Sequence, residues 1–188
     1  MDKNQPFAKR RLVFPVYLPS FLFSTAEFGI IPSIPASAIG LGGNIAIAGA
    51  IAGLMMIGRL VADIPAANLV DRLGERRAMI LACLAAALGI LSSLFAINLL
   101  MLGLGVFIVG AAAAVFGLAR LAWMTEHVPV EYRARSLSIL GGMFRAGSFA
   151  GPVIGAWIIF NYSVTEVFYL PLILCAVTAL ILMVVKSE

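Results

Sequence analysis

Residues 58–80, GRLVADIPAANLVDRLGERRAMI, decide the fold. The stretch holds the tail of one apolar run carrying Arg59 and Asp63, a tight polar corner with Asp71, Arg72, Glu75, Arg76 and Arg77, and the head of a second apolar run. Lys and Arg in short loops are retained on the cytoplasmic side of a membrane. A charged corner between two membrane-length runs therefore reads as a cytoplasmic hinge.

Composition sets the solvent. Of 188 residues, 62% are hydrophobic and 12% charged, and the mean hydropathy is +1.07; soluble domains sit near roughly half apolar and a quarter charged. The formal charge of +4 would suggest nucleic acid in a soluble chain. Here most cations flank apolar runs, so orientation in a lipid bilayer accounts for them and no nucleic-acid partner is expected. Cys83 and Cys175 stand inside apolar runs without metal-ligand spacing and read as packing residues. The lone His127 beside Glu126 has no Ser or Cys at a pairing distance in sequence. The GLG at 103–105 follows no strand, and no Walker-type sequence occurs, which argues against nucleotide chemistry. No catalytic group, metal or cofactor is expected, and the chain does not read as an enzyme.

A helix needs about 20 mostly apolar residues to cross a bilayer. After a leader over 1–11, the sequence predicts an all-α membrane protein whose bundle over 12–186 has six crossings, at about 12–36, 45–70, 78–97, 99–122, 135–160 and 166–186. The first apolar run exceeds the core of a secretory signal, and Glu27, Pro32 and Pro35 fit a retained, kinked helix. The leader with Lys9, Arg10 and Arg11, the corner at 71–77, the loop with Arg133 and Arg135, and the end at Lys186 are basic. The alternate loops contain no Lys or Arg. Both termini are therefore expected in the cytoplasm.

Charges inside the crossings are costly and usually face a bundle interior or water. Arg59 and Asp63, at i,i+4 spacing, can face the same side and pair. Arg145 lies near the middle of the fifth crossing, and Glu27 near the middle of the first. Arg120 is close enough to the end of the fourth to snorkel. One reading of Arg59 and Asp63 is a local ion pair that touches no ligand. The other has Arg59 and Arg145 attract an anionic group while Glu27 or Asp63 titrates and couples proton movement. Glu27 is the sharper proton candidate because its own helix offers no nearby cation.

Gly147, Gly151 and Gly155 recur every fourth residue around Pro152, a spacing that lets another backbone approach and a proline that favours a bend. Gly49 and Gly53 repeat the pattern in the second crossing. The glycines read as close packing, or as a bend about which the bundle rocks.

These residues carry a resemblance. ANLVDRLGERRAM resembles the signature between helices two and three of the major facilitator superfamily, G-x-L-a-D-r-x-G-r-k, with Leu69, Asp71, Arg72, Gly74, Arg76 and Arg77 in matching positions. Ala67 replaces the leading Gly and Glu75 a common basic residue. GSFAGPVIGA resembles the fifth-helix motif of antiporter branches, G-x-x-x-G-P-x-x-G-G, with Ala156 for the last Gly. PVEYRARSLSILGGMFRAG is similar to the drug-efflux side. The arginine that many proton-coupled members carry four residues before a fourth-helix glycine is Val106 here, ahead of Gly110. The resemblance implies two inverted three-helix repeats around a mid-membrane cavity, with alternating access by rocking. It also implies a cytoplasmic latch centred on Asp71, with Arg76 and Glu126.

The resemblance further implies a multi-pass protein of the plasma membrane, the inner membrane of a bacterium. Members normally have twelve helices, and this sequence stops after six, at Lys186-Ser187-Glu188. The expectation is one half-bundle of a secondary transporter, a proton-coupled exporter of small molecules. It would be completed by a second six-helix bundle, from a missing C-terminal half or a second copy. The alternative is a truncated remnant or membrane assembly subunit that keeps the fold and transports nothing.

Overall fold

The computed structural model describes residues 13–184, and no strand forms among them. The basic leader and Lys186 lie outside the described residues. Among the described residues, six helical segments are long and apolar enough to cross a membrane: Phe14–Gly40, Ile45–Leu73, Glu75–Leu94, Leu99–His127, Val130–Asn161 and Glu166–Val184. The first comprises a π-helical turn (Val13–Tyr17), α1 (Leu18–Gly29) and α2 (Ser33–Gly40). The next four are α3 (Ile45–Leu73), α4 (Glu75–Leu94), α5 (Leu99–His127) and α6 (Val130–Asn161). A short 3-10 turn, Glu166–Phe168, leads into α7 (Tyr169–Val184).

The first crossing breaks between α1 and α2 because Pro32 has no N–H to continue the helical ladder. The Ser33 hydroxyl donates to the carbonyl of Ile30 at 2.7 Å across the break. Asn44 and Asn98 start α3 and α5 by accepting the backbone N–H of Ile47 at 2.9 Å and Met101 at 2.8 Å. The α3–α4 corner turns at Gly74, whose φ of 79° and ψ of 157° fall in a region open essentially to glycine alone. Several helices outrun the apolar runs that announce them. α5 reaches His127 and α6 begins at Val130, leaving Val128 and Pro129 where the sequence suggested a longer loop. Apolarity marks where hydrocarbon ends, whereas a helix stops at a breaker, and Pro129 is that breaker. His127 accordingly belongs to the helix: its ring stacks on Trp123, with centroids 4.4 Å apart.

The packing repeats itself. α1 packs along α6 and α7, while α5 packs along α3 and α4, and α4 meets α7. Exchanging the first three crossings for the last three turns each of these contacts into another or into itself. An odd-numbered repeat reverses direction in a membrane, so the two repeats are inverted. Glycines close both seams. A Cβ on Gly151 would stand 2.6 Å from the Thr25 carbonyl oxygen on α1. Across the other seam, Gly58 faces the carbonyl of Phe107 and Gly110 that of Met55. A Cβ on Gly49 or Gly53 would meet no other helix within 4 Å among the described residues, which corrects their reading as contact glycines: they lie on the open side of α3. At the centre, Phe23 of α1 and Phe116 of α5 stack with centroids 4.0 Å apart and planes within 4°. Cys83 and Cys175 are buried, free thiols.

Candidate functional site

Glu27 sits on the inner face of α1 with Ser20, Ser24 and Thr25, all buried. The Ser24 and Thr25 hydroxyls donate to the Phe21 carbonyl at 3.0 and 2.8 Å. The carboxylate's partner comes from another helix: Arg59 Nη2 on α3 donates to Glu27 Oε1 at 2.7 Å. Glu27 is 3% exposed and Arg59 29%.

This corrects two expectations. Glu27 is not without a cation, and Arg59 does not pair with Asp63, which is exposed and forms no ion pair among the described residues. A carboxylate withdrawn from water needs a counter-charge far more than one that remains hydrated, so the buried partner takes the guanidinium.

Arg120 overturns a third expectation. Its guanidinium carbon lies 4.4 Å from the centroid of the Phe144 ring on α6, a cation–π distance. Its Nε is buried without a hydrogen-bond partner. Arg120 thus turns into the bundle instead of snorkelling, near enough to act electrostatically on both Glu27 and Arg59.

Arg59 and Asp63 from α3, Gly117 and Arg120 from α5, and Phe144 from α6 line a cleft of about 360 Å³. That volume is within the range of small-molecule sites. A Cβ on Gly117 would meet no other element within 4 Å among the described residues, so its missing side chain keeps the floor open. Arg120, Arg59 with its Glu27 partner, and the exposed Asp63 give the cleft both signs of charge beside one aromatic face, which suits a zwitterionic group, or an anionic one held at Arg120 against the ring. Arg120 and Phe144 were missed as site residues from sequence. The available signal was the small-residue stripe Ala113, Ala114 and Gly117, which marks the open face of α5 on which Arg120 falls. Arg145 lies elsewhere, exposed and without an ion pair among the described residues. It follows Phe144 by about 100° of helix rotation, so the two point apart.

At the basic corner, Asp71, Arg72 and Arg77 are exposed and Leu69 half-buried. Arg76 turns to α7, donating from Nε to the Leu182 carbonyl at 2.6 Å and from Nη2 to that of Met183 at 2.9 Å. These carbonyls belong to a helix C-terminus, where a cation is favoured. Glu126, at the end of α5, approaches the carboxyl of Glu75. In α6, Gly147, Gly151 and Gly155 face Ser24, Thr25 and Gly29 of α1, and Pro152 lies within the helix.

The sequence matches the Major Facilitator Superfamily description over residues 16–188. It is 27% identical over 158 residues to YfkF, an uncharacterised MFS-type transporter of Bacillus subtilis, covering 81% of this chain and 39% of that protein. It is 23% identical over 151 residues to an uncharacterised MFS-type transporter of Mycobacterium tuberculosis, covering 80% of this chain and 22% of that protein. The chain thus spans well under half the length of these curated relatives. Six membrane-length helices in inverted repeats, under a family match that runs over residues 16–188, place the chain in the major facilitator superfamily.

Proposed function

We propose that this chain forms one bundle of a secondary transporter that moves a small molecule by alternating access and couples export to protons. Its ends face the cytoplasm of a bacterial inner membrane. The observation that carries the reading is the Glu27–Arg59 pair at the back of a cleft between membrane-crossing helices, a charge arrangement costly enough that structural need alone rarely explains it. Glu27, Asp63 and Arg145 remain the coupling candidates, joined now by Arg120. The latch role of Leu69, Asp71, Arg72, Gly74, Arg76, Arg77 and Glu126 stays a proposal, as does rocking about the bend at Gly147, Gly151, Pro152 and Gly155.

A second six-helix bundle completes the path. In the hydropathic windows of α3 and α6 only 28% and 17% of residues are buried, and these helices present the exposed Asp63 and Arg145. Apolar side chains tolerate lipid, but these two charges need water or a partner surface. The test is proton release from acid-loaded vesicles bearing the chain together with its second bundle, scanned against small organic anions and zwitterions. Substrate-dependent proton flux lost in Glu27→Gln and Arg120→Gln supports the reading. Flux unchanged in both removes the site, and absence of any flux favours the non-transporting alternative.

A further inference from the structure

A second cleft, of about 270 Å³, lies between α3 and α4. Both helices pack closely along α5 but only sparsely against each other. Their divergence opens an apolar slot with walls at Pro65, Leu69, Leu81 and Ala85 and a floor at Ala111 and Val115. Small residues, Ala62, Ala66, Ala82 and Ala85 among them, leave the slot open.

Its mouth is basic. On α3, Leu69 precedes Arg72 by three residues, and on α4 Arg77 precedes Leu81 by four. These spacings put each arginine on the groove side, one turn nearer the corner at Gly74. Both arginines are exposed, and neither has an ion-pair partner among the described residues. The third arginine, Arg76, is held by the end of α7. Glu75 is turned toward Glu126. Asp71 adjoins Arg72 in sequence, and neighbours at i,i+1 do not face each other on a helix.

We propose that this slot holds one acyl chain of an anionic phospholipid whose phosphate lies between Arg72 and Arg77. Charge complementarity selects the occupant. Two unpaired guanidiniums at the edge of hydrocarbon, above an apolar slot, match a phosphate that is not neutralised by its own headgroup cation. A chain already in a bilayer gains nothing by leaving water, so the preference comes from fit along the alanine floor and from the charge-assisted bonds at the mouth. The site stands apart from the Glu27–Arg59 cleft but shares Arg72 and Arg77 with the proposed latch, so a lipid phosphate and a second bundle would compete for these two arginines.

The test uses the purified chain in phosphatidylcholine vesicles doped with spin-labelled phosphatidylglycerol or with spin-labelled phosphatidylcholine of the same acyl chain. Electron paramagnetic resonance reads the motionally restricted fraction. Phosphatidylglycerol should be restricted several-fold more, and the double substitution Arg72→Gln and Arg77→Gln should bring it to the phosphatidylcholine level. Arg135→Gln, an exposed arginine elsewhere, should leave the preference intact. Ala85→Phe, or the smaller plug Ala85→Leu if phenylalanine disturbs the circular dichroism, should reduce the restricted phosphatidylglycerol with both arginines present. Equal restriction of the two lipids overturns the proposal. So does a preference that survives the double substitution, falls equally in Arg135→Gln, or ignores both plugs.

Discussion

Replacing Arg59 by Met and Glu27 by Gln, singly and together, probes the one ion pair found among the described residues. The two partners differ in surroundings, and the difference sets the magnitudes. Glu27 is 3% exposed, so Arg59→Met strands a carboxylate that water cannot reach. Breaking a buried pair in this way costs about 3–5 kcal/mol. Arg59 is 29% exposed and lines the cleft, so after Glu27→Gln its charge stays partly hydrated. Discounted for that screening, the second change should cost about 1–2 kcal/mol. The double variant carries no stranded charge and should lose less than the sum, by a coupling of about 2 kcal/mol. The assay is reversible unfolding by sodium dodecyl sulfate in mixed micelles, followed by the fluorescence of Trp123 and Trp157. Additivity of the two changes, or Arg59→Met no costlier than Glu27→Gln, refutes the claim that the pair holds α3 to α1.

Three further outcomes follow from the backbone. Gly151→Ala puts a methyl group 2.6 Å from the Thr25 carbonyl oxygen and 2.8 Å from the Gly29 nitrogen. It should destabilise the bundle by about 1–3 kcal/mol, whereas Gly142→Ala on the same helix, with nothing within 4 Å, should be neutral or gain up to about 1 kcal/mol of helix propensity. The same unfolding assay ranks them. Gly74→Ala forces a side chain into the conformation at φ 79° and should cost about 1–3 kcal/mol, read as a lower thermal midpoint in detergent. Arg76→Gln removes both donors to the Leu182 and Met183 carbonyls. It should cost about 1–2 kcal/mol and speed hydrogen exchange in the last turn of α7 while leaving α5 unchanged.

The crossings were legible in the sequence because hydrocarbon imposes a length and a polarity on each one, and a run such as LLMLGLGVFIVGAAAAVFGLA declares both without its neighbours. The place of the corner at 71–77 was legible too, but not its tightness: the helices run to Leu73 and from Glu75, leaving Gly74 alone to turn the chain. The charges were not. Spacing says which residues share a face of one helix, and it correctly allowed Arg59 to reach Asp63. It cannot say that Glu27, 32 positions away, stands opposite and deeper. Arg120 failed for the same reason: depth along α5 permitted snorkelling, and only the neighbour across the gap, Phe144, decided that the side chain turns inward. Gly49 and Gly53 have the right interval on the wrong side of α3, whereas Gly58 does its work singly and shows no repeat to find.

Taken together, the contacts join α1 to α6 and both α3 and α4 to α5 most tightly, while α4 and α7 pack on each other and tie the two halves along one side. Glycines bring backbone against backbone between α1 and α6 and between α3 and α5, and at Gly151, Gly58 and Gly110 the seams meet backbone, with no rotamer to change there that would let one helix slide. Across the cleft the ties are of another kind: Glu27 to Arg59 between α1 and α3, Arg120 to Phe144 between α5 and α6, and Phe23 on Phe116 between α1 and α5. Each of these is made by a side chain that reaches over a gap where the backbones meet little. A long arginine exchanges partners by rotating about single bonds, which is far easier than parting two helices zipped at glycine. Rearrangement within this bundle therefore falls on the ring of charge and aromatic contacts around the cleft, where a bound anionic group would compete directly with Glu27 for Arg59 and with Phe144 for Arg120.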